Sequence, residues 1–142
     1  MKNNIALEIC VPNQTRYLAM IGRIGEDMAK VVDYYDGDRE SLGSQINTVL
    51  TEALVNAIEH ANAADPTKEI IVRINISDRE LAILVFDSGE GFDLNMVSDP
   101  SFEPDLMDEN GRGLFIIRSL MDSVVYRKAD GGNVLEMRKS LG

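Results

Sequence analysis

The most constraining feature of the chain is a pair of alternating stretches near its middle. Ile70, Val72, Ile74 and Ile76 recur at every second position, and Leu81, Ile83 and Val85 do so after the polar turn Ser77-Asp78-Arg79. Successive strand residues point to opposite faces, so a hairpin built this way is apolar mainly on one side. That side needs a second layer to cover it. Two helical stretches can supply the layer. Asn13 stands where it can cap a helix whose apolar positions Tyr17, Leu18, Ile21, Ile24, Met28, Val31 and Val32 recur at helical spacing. Asp36-Gly37-Asp38 breaks it. A second helix then carries Leu42, Ile46, Val49, Leu50, Ala53, Leu54, Ala57, Ile58 and Ala61 as its apolar stripe and ends within residues 62–66.

The flanks complete the layout. Residues 5–11 read as a strand ended by Pro12. After a stretch without period (89–111, holding Pro100 and Pro104) come a short apolar helix at 114–121 and strands at 124–127 and 134–138, joined by Gly131-Gly132. Loops of that length inside a compact domain are usually functional lids or disordered. Repeats, low-complexity tracts and Pro/Ser-rich linkers are missing, so residues 1–142 read as one domain. The expected class is α+β: a two-layer sandwich whose mixed, mostly antiparallel sheet is covered by helices on one face.

Charge narrows the partners. With 24 acidic against 14 basic residues, the formal charge of −10 repels nucleic-acid phosphates and anionic membrane surfaces. Neither direct nucleic-acid binding nor membrane binding is expected; a basic protein partner suits the field better, although acidity that merely keeps a protein soluble explains it equally well. Without a membrane-length apolar run or a signal-peptide pattern, a cytoplasmic protein is expected. Cys10, the single cysteine, can form neither an internal disulfide nor a thiolate metal site, and its apolar run predicts a buried strand residue.

Three short constellations carry chemistry. On the second helix, Glu52, Asn56 and His60 are spaced four apart and share a face. A solvated polar face accounts for Glu52 and Asn56 taken alone, yet Asn is mildly unfavourable mid-helix unless its amide is used. At a strand end, Asp87-Ser88-Gly89-Glu90-Gly91-Phe92 sets a carboxylate before two glycines. An ionised carboxylate only accepts hydrogen bonds, so an amino group such as that of adenine is its natural small-molecule partner, and the carbonyl of guanine is not. An ordinary turn explains this segment as well. Lastly, Asn110-Gly111-Arg112-Gly113-Leu114 closes the long loop and opens the third helix. Backbone N–H groups at a helix start favour anions, and Arg112 is placed to reach a phosphate.

Each constellation is weak alone; their order is specific. A helix with Glu and Asn, a strand ending in Asp-x-Gly-x-Gly, a long loop and a Gly-x-Gly helix start resemble the N, G1 and G2 boxes of the GHKL (histidine-kinase-like) ATP-binding superfamily. The resemblance extends from the second helix to the last strand. Within it, Glu52, Ala53, Asn56, Ala57 and His60 are similar to the N box of the anti-sigma-factor serine/threonine kinases, and the chain has no room for the second domain of the larger members.

The resemblance implies a set of roles. Asn56 would bind Mg²⁺ and through it ATP; Glu52 would be the catalytic general base. Asp87 would hold the adenine amine, with Gly89 and Gly91 letting the strand end pass beneath the base. Gly111, Arg112, Gly113 and Leu114 would close over the phosphates, hinging a lid over 93–110. The superfamily's usual threonine after the last glycine turn is replaced by Asn133, whose amide would have to substitute in nucleotide binding. His60 is expected to hydrogen-bond a backbone group or stay solvated. The acidic lid residues Asp93, Asp99, Glu103, Asp105, Asp108 and Glu109 are expected to point away from phosphate. The implied function is phosphorylation of a serine on a STAS-type anti-anti-sigma partner and sequestration of a sigma factor, with homodimerisation implied by the family. Two alternatives stay open: a non-catalytic, nucleotide-dependent protein-binding module of the same fold, and an ATP-binding domain belonging to a larger regulator.

Overall fold

The computed structural model of the chain describes residues 4–77, 79–89 and 109–142, with the backbone alone described for His60, Glu109, Asn110 and Gly111. Five strands, β1 (Ile5–Pro12), β2 (Glu69–Ser77), β3 (Glu80–Asp87), β4 (Ser123–Ala129) and β5 (Gly132–Ser140), form one sheet in the order β1-β2-β3-β5-β4. Every pairing among them is antiparallel, where the sequence allowed a mixed sheet. Helices α1 (Leu18–Val31), α2 (Arg39–Val55) and α3 (Glu109–Leu120) make up the second layer.

Register explains why the alternating pattern is obeyed. Ile74 pairs with Leu7 on one side and Ile83 on the other, and Ile83 pairs in turn with Met137. Ile74, Ile83 and Met137 are fully buried, and the apolar stripe of α2 from Leu42 to Leu54, continued by Ala57 and Ile58, shares one core with this row. Each such Ile or Leu contributes about 1.5–3 kcal/mol by leaving water. The opposite face of the sheet carries exposed ion pairs, Glu8 with Arg73 at 2.8 Å and Glu80 with Arg138 at 2.6 Å. Pairs so exposed stabilise little.

The helix starts are set by different devices. Asp38 caps α2, its Oδ2 accepting from the Ser41 N–H at 3.1 Å and the Ser41 hydroxyl at 2.9 Å. α1 is entered through a 3-10 turn (Thr15–Tyr17), not through a cap at Asn13. Asn13 instead lies buried and donates its amide to the Asp65 carbonyl at 2.9 Å. The inner face of α1 is also narrower than the spacing suggested. Ile21, Gly22, Gly25, Met28 and Ala29 are buried, with Gly25 seated on Ile46 and Leu50, whereas Val31 is 61% exposed. Small residues at this seam let the two helices approach closely, and Val31 lies off that face.

Two further expectations are corrected. Cys10 is exposed, because alternation along β1 sends its neighbour Val11 inward; its Sγ donates to Glu69 Oε2 at 3.2 Å, a contact that raises the thiol's pKa. The third helix begins at Glu109, so Gly111, Arg112 and Gly113 lie inside its first turns and not ahead of them. Among the described residues no helix is long and apolar enough to cross a membrane.

Candidate functional site

The site forms where the end of α2, the end of β3 and the start of α3 meet. α2 is regular through Val55 and then widens into a π-helical segment, Asn56–Ala61. The Asn62 N–H reaches the Ala57 carbonyl, five residues back, at 2.8 Å. Single π turns inside helices recur at functional sites, because they rotate side chains off the regular helical face. Glu52 and Asn56 keep their one-turn relation, since the Asn56 N–H still bonds the Glu52 carbonyl. His60 falls within the π turn, and its side chain lies outside the described residues.

A solvated face is not the explanation for Asn56. Its side chain is 2% exposed, and its amide nitrogen is buried without a hydrogen-bond partner. A buried unpaired amide costs about 1–3 kcal/mol, a cost that a ligand or water can relieve. Glu52 is part-exposed beside it. Gly113 of α3 packs onto both: a Cβ at that position would stand 2.7 Å from Glu52 Oε2 and 3.7 Å from Asn56 Nδ2. A Cβ there would push the Glu52 carboxylate aside, so the glycine leaves that group its observed place. Arg112 is exposed at the helix start, and the Leu114 side chain is fully buried in the core.

The second half of the site is the end of β3. Asp87, 7% exposed, is held by three donors: the Gly89 N–H at 3.1 Å and Asn133 Nδ2 at 3.0 Å on Oδ1, and the Tyr126 hydroxyl at 2.8 Å on Oδ2. Asn133 faces Asp87 in the β3–β5 register, and the same amide nitrogen also reaches the Gly89 carbonyl at 3.2 Å. Its replacement of the expected threonine thus serves to hold the turn. Gly89 runs so close beneath the π segment that a Cβ would overlap the Ala61 carbonyl.

Two residues here were not singled out by sequence reasoning. Asn62, read only as part of a helix end, is fully buried; its Oδ1 accepts from the Ser88 N–H and its Nδ2 donates to Asn13 Oδ1, both at 3.1 Å. It ties the α2 end to the β3 end. Tyr126 pairs with Leu135, and the alternation of β4 alone puts it on the helix side. Its reach to Asp87 had no signal in the sequence, because it depends on β5 lying between β3 and β4. Gly91 and the acidic residues 93–108 fall outside the described residues. Among the described residues no cluster of three or more His, Cys, Asp or Glu forms a metal cage.

The arrangement offers a carboxylate beside a buried amide at a helix start, and, a strand end away, a second carboxylate that only accepts. That combination suits a ligand with an amino group at one end and anionic groups at the other.

Comparison with known proteins agrees. Residues 11–139 match the family described as the histidine kinase-like ATPase domain. The chain is 30% identical over 141 residues to the serine-protein kinase RsbW of Bacillus subtilis, covering 94% of this chain and 86% of that protein. It is 28% identical over 145 residues to the anti-sigma F factor of Clostridium perfringens, covering 99% of each. Among solved structures, the histidine kinase domain of the Erythrobacter litoralis blue-light activated histidine kinase superposes with a TM-score of 0.54 at 19% identity, over 92% of this chain and 61% of that one. That likeness concerns the fold alone. The chain belongs to the histidine-kinase-like ATPase family, in the branch of the anti-sigma-factor serine kinases.

Proposed function

We propose that the protein, acting as one ATP-binding unit over its length, transfers the γ-phosphoryl group of ATP to a serine of a STAS-type anti-anti-sigma protein and sequesters a sigma factor in alternation with it. The observation that carries the reading is the Glu52–Asn56–Gly113 contact. Pure nucleotide binding has no use for a carboxylate at that point; a serine hydroxyl losing its proton does. The names of the relatives, a serine-protein kinase and an anti-sigma F factor, point the same way.

The residues fit the implied Mg²⁺. Asn56 has a buried amide in want of a partner, and a half-turn of its plane presents a neutral oxygen at the same place, a ligand suited to a hard cation that keeps several waters. When bound, Mg²⁺ offsets phosphate charge. Asp87, supported by Asn133, accepts from the adenine amine, and Gly89 lets the strand end that carries Asp87 pass directly beneath the π segment. At the start of α3 the first four N–H groups lack helical partners, and these include Gly111 and Arg112; they face the phosphates, with the Arg112 side chain beside them. Gly113 leaves Glu52 room to meet the incoming hydroxyl, while Leu114 anchors the helix in the core. Gly91 belongs to the same adenine-side turn by sequence.

The test is phosphoryl transfer. With labelled ATP and Mg²⁺, phosphoserine should form on a STAS-type protein and disappear with Glu52→Ala. ATP binding without transfer to any STAS-type partner would leave the non-catalytic binding module as the function.

A further inference from the structure

The edge strand β4 takes part in the candidate base site, and nothing in the three sequence boxes anticipates it. We propose that Tyr126 is a positioning residue for base selection: it fixes the Asp87 carboxylate so that a single acceptor position stays open, one that takes an amino group and refuses a carbonyl. This rests on the nucleotide-binding reading above.

The reasoning starts from lone pairs. An ionised carboxylate offers about four acceptor positions. The Gly89 N–H at 3.1 Å and Asn133 Nδ2 at 3.0 Å fill those of Oδ1, and the Tyr126 hydroxyl at 2.8 Å fills one on Oδ2. Among the described residues these are the donors to Asp87, and the position they leave open is on Oδ2, beside Tyr126. Oδ1 is held by two groups local to the turn and its partner strand. Oδ2 is held by a side chain from two strands away, across β5.

The hydroxyl is separable from the packing. The Tyr126 ring is partly buried against the core, and a phenylalanine ring would fill the same space. What Phe cannot do is donate to Asp87. Without that donor Oδ2 has two open positions, the carboxylate is free to pivot about its Oδ1 bonds, and water competes for the place of the base. Loss of a hydrogen bond to a charged group then reads out as weaker binding of a base that uses Oδ2, and as no change for a base that cannot.

The experiment is a titration of the protein, in the presence of Mg²⁺, with ATP and with inosine triphosphate, which carries a carbonyl in place of the adenine amine. Wild type, Tyr126→Phe, Asp87→Asn and the double variant are compared, with thermal unfolding as a fold control. The expected result is that Tyr126→Phe weakens ATP binding about tenfold and leaves inosine triphosphate unchanged, so that discrimination falls by the same factor. In the Asp87→Asn background the Tyr126 substitution should add nothing, since its effect passes through Asp87. Equal effects on both nucleotides, no effect, or tighter ATP binding by Tyr126→Phe would overturn the proposal while leaving the ATP site standing. Failure of the wild type to bind ATP would instead remove the nucleotide reading and this inference with it.

Discussion

Asn62 provides the sharpest test of how the site is held. Its side chain is fully buried and bridges three segments, accepting from the Ser88 N–H and donating to Asn13 Oδ1, each at 3.1 Å. Asn62→Ala leaves Asn13 Oδ1 without its donor. Asn13 is 3% exposed, so water does not readily replace it, and the loss costs about 1–3 kcal/mol. The Ser88 amide is near solvent and adds little, while the vacated space adds about 1 kcal/mol. The sum, about 2–4 kcal/mol, lowers Tm by about 6–12 °C for a chain of this size. Asn62→Asp separates hydrogen bonding from volume. It keeps the acceptor for Ser88 but sets an acceptor against Asn13 Oδ1, and Asn13 cannot turn its amide without opposing the Asp65 carbonyl that it now serves. The near-isosteric Asp variant should therefore be at least as unstable as Ala at neutral pH. Burial and the facing oxygen hold the new carboxyl's pKa up, so its deficit should shrink as pH falls and the group becomes a donor. Urea and thermal unfolding by circular dichroism measure both variants; an Asp variant within about 0.5 kcal/mol of wild type would refute the reasoning.

Other outcomes follow from the same geometry. Glu52→Gln should retain ATP binding and slow phosphoryl transfer by about 10²–10⁴, read in a transfer assay beside a nucleotide titration. Gly113→Ala places a methyl 2.7 Å from Glu52 Oε2; because the carboxylate can shift, transfer should fall more than stability, measured by the same assay and by unfolding. At the α2 cap, hydrogen bonds from the Ser41 hydroxyl and N–H lower the Asp38 pKa below the usual carboxylate value. A depressed folded-state pKa contributes stability above the unfolded value of about 3.9 and loses it as pH falls through the folded one. The stability gap between wild type and Asp38→Ala should accordingly narrow in acid, as followed by unfolding curves across pH.

How far the sequence alone carries depends on whether a feature is local. The hairpin is legible because Ile70, Val72, Ile74 and Ile76, and after the turn Leu81, Ile83 and Val85, recur at every second position, and the α2 stripe because Leu42 to Leu54 keep one helical period up to the π turn. The pairing of Glu52 with Asn56 needed only helical geometry. What escaped depended on neighbours brought in by topology. Cys10 faces outward because Val11 must face in, and Val31 lies off the narrow face of α1 that meets α2. Asn13 was read as a cap from its position, but its amide is claimed by the loop after α2, 52 residues away. Asp87 was found as a strand-end carboxylate, whereas Tyr126 and Asn62, which orient its turn, come from elements that no local pattern links to it. The spacing places the start of α3 too late because glycines read as breakers; at Gly113 the room left for Glu52 accompanies the low helix propensity of glycine.

The central claim is a magnesium-dependent ATP site built around Asp87 and Asn56. Calorimetric titration of the full chain with ATP, in the presence and absence of Mg²⁺ and alongside GTP, tests it directly. The account predicts binding of ATP that requires Mg²⁺, is absent for GTP and is weakened by Asp87→Asn. No heat of ATP binding at millimolar nucleotide, with the protein folded, would contradict it and leave the fold as a scaffold for protein binding.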